Sequence, residues 1–407
     1  MPAGHRRHPW KSGGMATSHS SPTVSPFRIE IPEESLADLR SRLRSARFPQ
    51  PLPGDDWDTG VPVAYLRRLV EAWEGFDWRA FEARLNRLPH HTTDIDGQTI
   101  HFVHVRSAVP GALPLLLTHG WPGSFLEFVD LIGPLTDPEA HGGTAADAFD
   151  VVIPSLPGFV FSTPLHGTGW TFTRIASAWI TLMDRLGYRR FAVQGGDLGA
   201  AIAPQVGRLA ADRVIGVHVN GALGDFAGEM DEEALASLTP LEQDRMRRIG
   251  EFMRSGFGYI AVQSTRPGLI GVMAADSPVA QLAWIVDKLR AWTHPLDALP
   301  EEVLGWDFVL GNASLYWFTA CAGAAAYVGY AQREEPEATS RNSGVPTGAV
   351  QFAHDIGIRR FAERSNTIVR WTDVEGRGGH FAALEEPELF LDDLQAFFRP
   401  LRGVHSA

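Results

Sequence analysis

The chain has 407 residues, 44% hydrophobic and 21% charged, with 36 Lys and Arg against 48 Asp and Glu for a formal charge of −12. This is an ordinary globular composition, long enough for one large domain with an insertion or for two domains, and its acidity gives no support to binding nucleic acid or another polyanion. A lone cysteine, Cys321, excludes an internal disulfide framework and a cysteine-based metal cluster, and no apolar run reaches the roughly 20 residues of a membrane span, so a soluble, cytoplasmic protein with no membrane anchor is expected.

Residues 1–25 are rich in Ser, Pro, Gly and His without hydrophobic periodicity, which predicts a disordered leader. Arg6-Arg7 is not followed by an apolar stretch and does not read as an export signal. Over 33–47, Leu36, Leu39 and Leu43 recur at helical spacing. A Pro/Gly/Asp loop at 49–60 leads to two more amphipathic helices, one carrying Leu66, Leu69, Val70 and Trp73, the next Trp78, Phe81, Leu85 and Leu88. Asp96-Gly97, between apolar runs at 92–95 and 99–105, signals a β-hairpin. Short apolar strands then follow at 115–118, 150–154, 191–194 and 214–219 with helical stretches between them, the rhythm of a mostly parallel sheet covered on both faces. That rhythm breaks at about 221–343, where 241–253 and 279–292 read as helices and 306–330 as an aromatic, Ala-rich helical stretch. It resumes with strands at 344–352 and 367–371 and a closing helix at 387–398. The economical architecture is α/β: an N-terminal helical segment at 26–110, a core at 111–221 and 344–400, and a helical cap at 222–343.

Gly195-Gly196-Asp197-Leu198-Gly199 follows a strand and opens a helix. It has the spacing of a nucleophile elbow, with Asp where many hydrolases place Ser. Small neighbours are needed because so sharp a strand-to-helix turn leaves no room beside the nucleophile. Taken alone, a Gly-rich βα turn with an N-capping Asp accounts for it at least as well. A dinucleotide site is disfavoured, since no G-x-G-x-x-G follows a strand. His119-Gly120-Trp121-Pro122-Gly123-Ser124 comes directly after the strand at 115–118, where an α/β-hydrolase places one backbone donor of its oxyanion hole; Pro122 fixes the loop and aims the Trp121 amide. Gly378-Gly379-His380-Phe381 follows the last strand. His380 is singled out among 15 histidines by its place, last in the order nucleophile, acid, histidine. The acid should follow the preceding strand, where Asp355 stands in Phe352-Ala353-His354-Asp355; Glu375 competes from the wrong loop.

Together these residues resemble the microsomal-type epoxide hydrolases of the α/β-hydrolase superfamily. The resemblance covers about residues 26–398, from Pro26-Phe27-Arg28-Ile29 onward. It includes Gly258-Tyr259-Ile260-Ala261-Val262-Gln263 and Asp276-Ser277-Pro278 in the cap, and Arg377-Gly378-Gly379-His380-Phe381-Ala382-Ala383. It implies an α/β-hydrolase fold with a mostly parallel central sheet, a helical cap and an N-terminal helical meander. It further implies that Asp197 is the nucleophile, His380 the general base, Asp355 its orienting acid and Tyr259 a ring-opening acid, with the backbone N–H groups of Trp121 and Leu198 as the oxyanion hole. One departure stands out. Gly329 holds the place of the family's second cap tyrosine, with Tyr330 the favoured substitute and Tyr327 its rival.

The residue types suit that chemistry. An ionised Asp can displace a leaving group from saturated carbon without first losing a proton, which a serine cannot do. Tyrosines remain protonated at pH 7 and can donate to the alkoxide that ring opening leaves. No cofactor or metal is required. The expected partner is a small hydrophobic or aromatic epoxide, bulky enough to be a secondary metabolite, with Trp121, Phe257, Trp284, Trp317 and Phe318 as candidate pocket residues; for any one of them core packing is the plainer account. A homo-oligomer is compatible with the sequence. Two alternatives use the same shell: a haloalkane-type dehalogenase, disfavoured by Leu198 where a halide-binding indole often follows the nucleophile, and a noncatalytic ligand-binding homologue, disfavoured by intact Asp197, Asp355 and His380.

Overall fold

In the computed structural model, which describes residues 23–54, 56–223, 237–335 and 341–403, the strands are β1 (Ser25–Phe27), β2 (His90–Ile95), β3 (Gln98–Val105), β4 (Leu113–Thr118), β5 (Phe149–Pro154), β6 (Phe191–Gly196), β7 (Val214–Asn220), β8 (Pro346–Gln351) and β9 (Thr367–Asp373). They form one sheet in the order β1-β2-β3-β5-β4-β6-β7-β8-β9. β1, β2, β3 and β5 pair antiparallel, and β5, β4, β6, β7, β8 and β9 pair parallel. The central strands are apolar along their whole length because both faces are covered: β6 is buried throughout, and helices Leu198–Leu209 and Pro387–Phe398 pack on the sheet. The β2–β3 hairpin turns at Asp96 (φ 54°) and Gly97 (φ 76°), the two left-handed positions that a two-residue hairpin demands. Ser25, placed by the sequence at the end of a leader, pairs with Thr92 in β1, so ordered backbone begins earlier than composition suggests; residues 1–22 lie outside the described residues.

The segment between β7 and β8 forms the cap. Its helices include Pro240–Glu251, Gly258–Gln263, Pro267–Asp276, Pro278–Trp292, Trp306–Phe318 and Ala322–Ala331. The stretch expected as one helical run over 306–330 is two helices, broken where Ala320 takes φ 48°. The first of them is buried from Phe308 to Tyr316, which explains why it is apolar all round. On one side it meets the N-terminal helices: the Trp73 indole donates to Ser314 Oγ at 2.8 Å, and Phe81 packs so closely on Gly311 that a Cβ there would overlap its ring. On the other it meets the core: Asn312 Nδ2 donates to Pro122 O at 2.7 Å, and Tyr316 OH to Gly123 O at 2.8 Å. The N-terminal segment thus braces the cap, and the cap pins the loop after β4. Among the described residues no helix is long and apolar enough to cross a membrane, and no group of three or more His, Cys, Asp or Glu is placed to hold a metal ion.

Candidate active site

Asp197 sits between β6 and helix Leu198–Leu209 with φ 51° and ψ −118°, a conformation that strains any residue with a Cβ. Its glycine neighbours make the turn possible by close approach. A Cβ on Gly195 would overlap the Gly199 carbonyl, one on Gly199 the Thr118 carbonyl of β4, and one on Gly196 would lie 2.7 Å from Asn220 Oδ1. The carboxylate divides its oxygens: Oδ1 accepts the Trp121 N–H at 2.8 Å, and Oδ2 lies 3.2 Å from His380 Nε2. Leu198 opens the helix, so its amide has no intrahelical acceptor. The Trp121-Pro122 bond is cis.

His380 is held from behind by the cap. Its N–H donates to Trp292 O, the last residue of Pro278–Trp292, at 2.9 Å, an approach that a Cβ on Gly379 would block. Glu385 fixes the same loop, accepting from Phe381 N and His294 N at 2.8 Å each. Asp355 is 7% exposed and takes the Phe352 amide at 2.7 Å on Oδ2. Glu375, the competing acid, is exposed.

Burial alone would lower the His380 pKa. The hydrogen bond and charge of Asp197, with the charges of Asp355 and Glu127, outweigh it and raise the imidazole to about 9. Burial pushes Asp355 up to about 6, opposed by the Phe352 amide and by His380, so it stays mostly ionised at pH 7. Burial, and then the charge of Asp197, hold the Tyr259 phenol well above its ordinary value, which keeps it a proton donor.

Asp197, Asp355, His380 and Tyr259 come together on one cavity of about 340 Å³, whose walls also include Phe252, Trp292, His354 and Arg248. Tyr259 lies flat on Trp121, centroids 5.1 Å apart, and edge-on to Trp292 at 5.3 Å. Trp121, expected in the pocket, is covered by the Tyr259 ring and does not line the cavity, and the other expected pocket residues are elsewhere too. Trp317 lies under the Arg42 guanidinium and Phe318 against Trp78 at 4.8 Å, because this end of the cap faces the N-terminal helices. Trp284 is a layer back, 6.3 Å from Trp121. Phe257 packs edge-on against Phe252 at 6.2 Å, and Phe252 reaches the cavity instead, from a π-helical turn (Phe252–Gly256) that regular helical periodicity does not anticipate. Tyr327 and Tyr330 pack against each other with their rings tilted, centroids 5.4 Å apart, with the Arg333 guanidinium over the Tyr330 ring, and neither lines the cavity. Gly329 itself faces Gln263 and Ser264. Sequence reasoning missed Trp292, whose helix end was the available signal, and Phe252, Arg248, His354 and Glu385, which carried none.

Comparison with known proteins agrees with this geometry. Residues 24–128 match the family model of the epoxide hydrolase N terminus, and residues 114–247 that of the alpha/beta hydrolase fold. The chain is 42% identical over 384 residues to a protein of Stigmatella aurantiaca assigned to the epoxide hydrolases, spanning 93% of this chain and 86% of that one. It is 32% identical to epoxide hydrolase 1 of Sus scrofa, spanning 95% and 91%. The solved structure of Aspergillus niger epoxide hydrolase superposes with a TM-score of 0.80 at 32% identity, over 93% of this chain and 97% of that one. These likenesses favour epoxide hydrolysis over dehalogenation or binding without turnover. The chain belongs to the epoxide hydrolase family of the α/β-hydrolase superfamily and is an epoxide hydrolase.

Proposed function

We propose that the enzyme converts a hydrophobic or aromatic epoxide to a vicinal diol through an ester on Asp197. The observation that carries this is the division of the Asp197 carboxylate between Trp121 N–H on Oδ1 and His380 on Oδ2. Oδ2 attacks an oxirane carbon and the C–O bond breaks. The departing oxygen takes a proton from Tyr259, which solvent restores. Oδ1, still on the Trp121 amide, becomes the ester carbonyl. Alkylation removes the charge and hydrogen bond that most raise His380, so the imidazolium of the resting site then loses its proton to solvent and the imidazole becomes a base only once the ester exists. It then deprotonates a water that attacks the ester carbonyl carbon. The oxyanion on Oδ1 is met by the Trp121 and Leu198 amides, and collapse releases the diol, which takes the proton from His380. Asp355 stabilises the imidazolium meanwhile. Phe252, Trp292 and Ile356 give the cavity an apolar wall suited to an aromatic or aliphatic substituent.

A single turnover in oxygen-18 water with enzyme in excess tests the ester. Mostly unlabelled diol and labelled Asp197 are expected, with a substrate-mass adduct on the Asp197 peptide in His380→Gln. Fully labelled first-turnover diol and no adduct would mean direct attack by water.

A further inference from the structure

The end of cap helix Pro278–Trp292 holds the acid loop and the base loop together. Trp292 O takes the His380 N–H at 2.9 Å, and the His294 N–H goes to Glu385 Oε2 at 2.8 Å. The His294 imidazole reaches in two directions. Its Nε2 lies 3.0 Å from Gly376 O, on the loop that leads to His380, and its Nδ1 lies 3.0 Å from Nε2 of His354, the residue before Asp355. A carbonyl oxygen can only accept, so a neutral His294 carries its hydrogen on Nε2, and the bare Nδ1 accepts from His354. The donors therefore run one way, from His354 through His294 to Gly376, and cross from one catalytic loop to the other.

We propose that His294 is a positioning residue for ester hydrolysis: its imidazole bridges the loop of Asp355 to the loop of His380, ties both to the end of the cap helix, and so sets the spacing of the two groups. The proposal rests on the reading in which Asp355 serves His380 and Asp197 carries the ester. His294 does not line the cavity, so its role lies in the loops and not in the walls that meet the substrate.

Without that bridge the loops meet directly near their starts, where Ala353 N–H donates to Arg377 O at 3.0 Å and the Phe352 ring lies so close to Gly378 that a Cβ there would overlap it. Two loops joined along one line can rock about it, and an attachment on a third element removes that freedom. Arg248, from cap helix Pro240–Glu251, donates to Ala353 O at 2.7 Å and steadies the acid loop alone, whereas His294 joins the two. Asp355 moves with its loop, because its Oδ2 takes the Phe352 amide at 2.7 Å and its own N–H goes to Phe352 O at 3.0 Å. The attraction between a carboxylate and an imidazolium falls with their separation. Spacing therefore enters ester hydrolysis, which needs His380 as a base, more than ester formation, which needs Asp197 and Tyr259.

Single-turnover rates of ester formation and ester hydrolysis, with urea unfolding in parallel, test the role in H294A, H294N, H294Q, D355N and the H294A/D355N pair. H294A should slow hydrolysis by about 10- to 100-fold and formation by less than about threefold. Asn keeps an acceptor near the place of Nδ1 and Gln a donor near that of Nε2, so each should recover part of the loss. Because His294 acts through the spacing of Asp355 and His380, its removal should matter little once the acid is gone: H294A/D355N should hydrolyse the ester within about twofold of D355N. Native hydrolysis in H294A with only a lowered unfolding midpoint, equal slowing of both steps, an Asn or Gln variant as slow as H294A, or losses that multiply in the pair would overturn the proposal. If H294A does not fold, H294N and H294Q take its place beside D355N. The adduct on Asp197 in His380→Gln separates the failures: its absence removes the ester itself, and near-native D355N removes the acid, whereas a normal adduct and slow D355N with indifferent His294 variants remove only the role of His294.

Discussion

The sheet end and the cap end of this active site are built by different means. At the sheet end, Asp197, Asp355 and His380 follow β6, β8 and β9 on short turns, and at two of them backbone meets backbone: Gly199 against Thr118 O beside Asp197, and Gly379 against Trp292 O at the end of a cap helix beside His380. Steric demands of that kind permit few residues, and position follows chain order. At the cap end, Tyr259 and Phe252 project from helices, where any face can be the functional one and a single π-helical turn changes which side chain arrives. Rigid turns fix where chemistry occurs, while helices decide what fits over it and change with little steric cost. The Gly329 departure belongs to the permissive half: it leaves Tyr259 as the tyrosine on the cavity wall without disturbing the core.

The largest effect should come from the rigid half. Asp355→Asn removes a charge that favours the imidazolium, so the apparent pKa of His380 should fall and ester hydrolysis should slow by about 10³- to 10⁴-fold, with formation much less affected. Glu375→Gln, on an exposed residue, should be near native. Stopped-flow burst and decay phases separate the two steps. The reverse pattern would move the acid to the other loop.

Next is the cap. Tyr259→Phe should bind substrate but slow ring opening by about 10²- to 10³-fold, since the forming alkoxide loses its donor on the cavity wall. The Tyr327→Phe/Tyr330→Phe double variant should open the ring at close to the native rate, because those rings pack against each other away from the cavity. A double variant as slow as Tyr259→Phe would mean that the cap moves on binding to bring one of them in.

How much of this was legible follows the same divide. Asp197, His380 and the Trp121 loop announce themselves because glycine is required at fixed offsets by close approaches that no other residue allows. Strands β2 to β9 and the longer helices were legible from apolar periodicity, to within a few residues at their ends, whereas β1, the cap helices Gly258–Gln263 and Pro267–Asp276, and the break at Ala320 were not. Trp317 and Phe318 were misplaced because an aromatic run has no direction: the sequence says they are buried, and only the docking of Trp78 and Arg42 says against what. Tyr330 was favoured by its nearness to position 329, but adjacent residues on a helix point about 100° apart, and its ring lies beside Tyr327, off the cavity wall.

The cap's hold on the oxyanion loop can be sharpened in the same way. Asn312→Ala frees the Pro122 carbonyl from its 2.7 Å bond and leaves it buried without that donor. A cost of about 1–3 kcal/mol is expected, part of it appearing as slower ester hydrolysis because the loop that carries the Trp121 amide then keeps only the Tyr316 bond to Gly123 O from this helix. Hydrolysis at the native rate, with only the midpoint of thermal unfolding lowered, would make the bond a matter of stability alone.

The smallest effect should lie farthest from the chemistry, at the brace between the N-terminal helices and the cap. Ser314 Oγ accepts the Trp73 indole N–H at 2.8 Å and itself donates to Leu310 O. Both residues are almost fully buried, so Ser314→Ala strands an indole donor, while the Leu310 carbonyl keeps its helical partner. The cost should be about 1–2 kcal/mol, seen as a lower unfolding midpoint in urea with an unchanged slope. Ser314 and Asn312 lie two residues apart on one helix, with partners in the N-terminal segment and the core respectively. If the helix is a rigid spacer, losing its outer bond should leave both single-turnover steps within about twofold of native, well below the midpoint, because the inner bond to Pro122 still sets the loop. A hydrolysis rate that falls with the stability, and a Ser314→Ala/Asn312→Ala double variant whose loss is not the sum of the two, would show instead that the N-terminal helices act on the oxyanion loop through the cap.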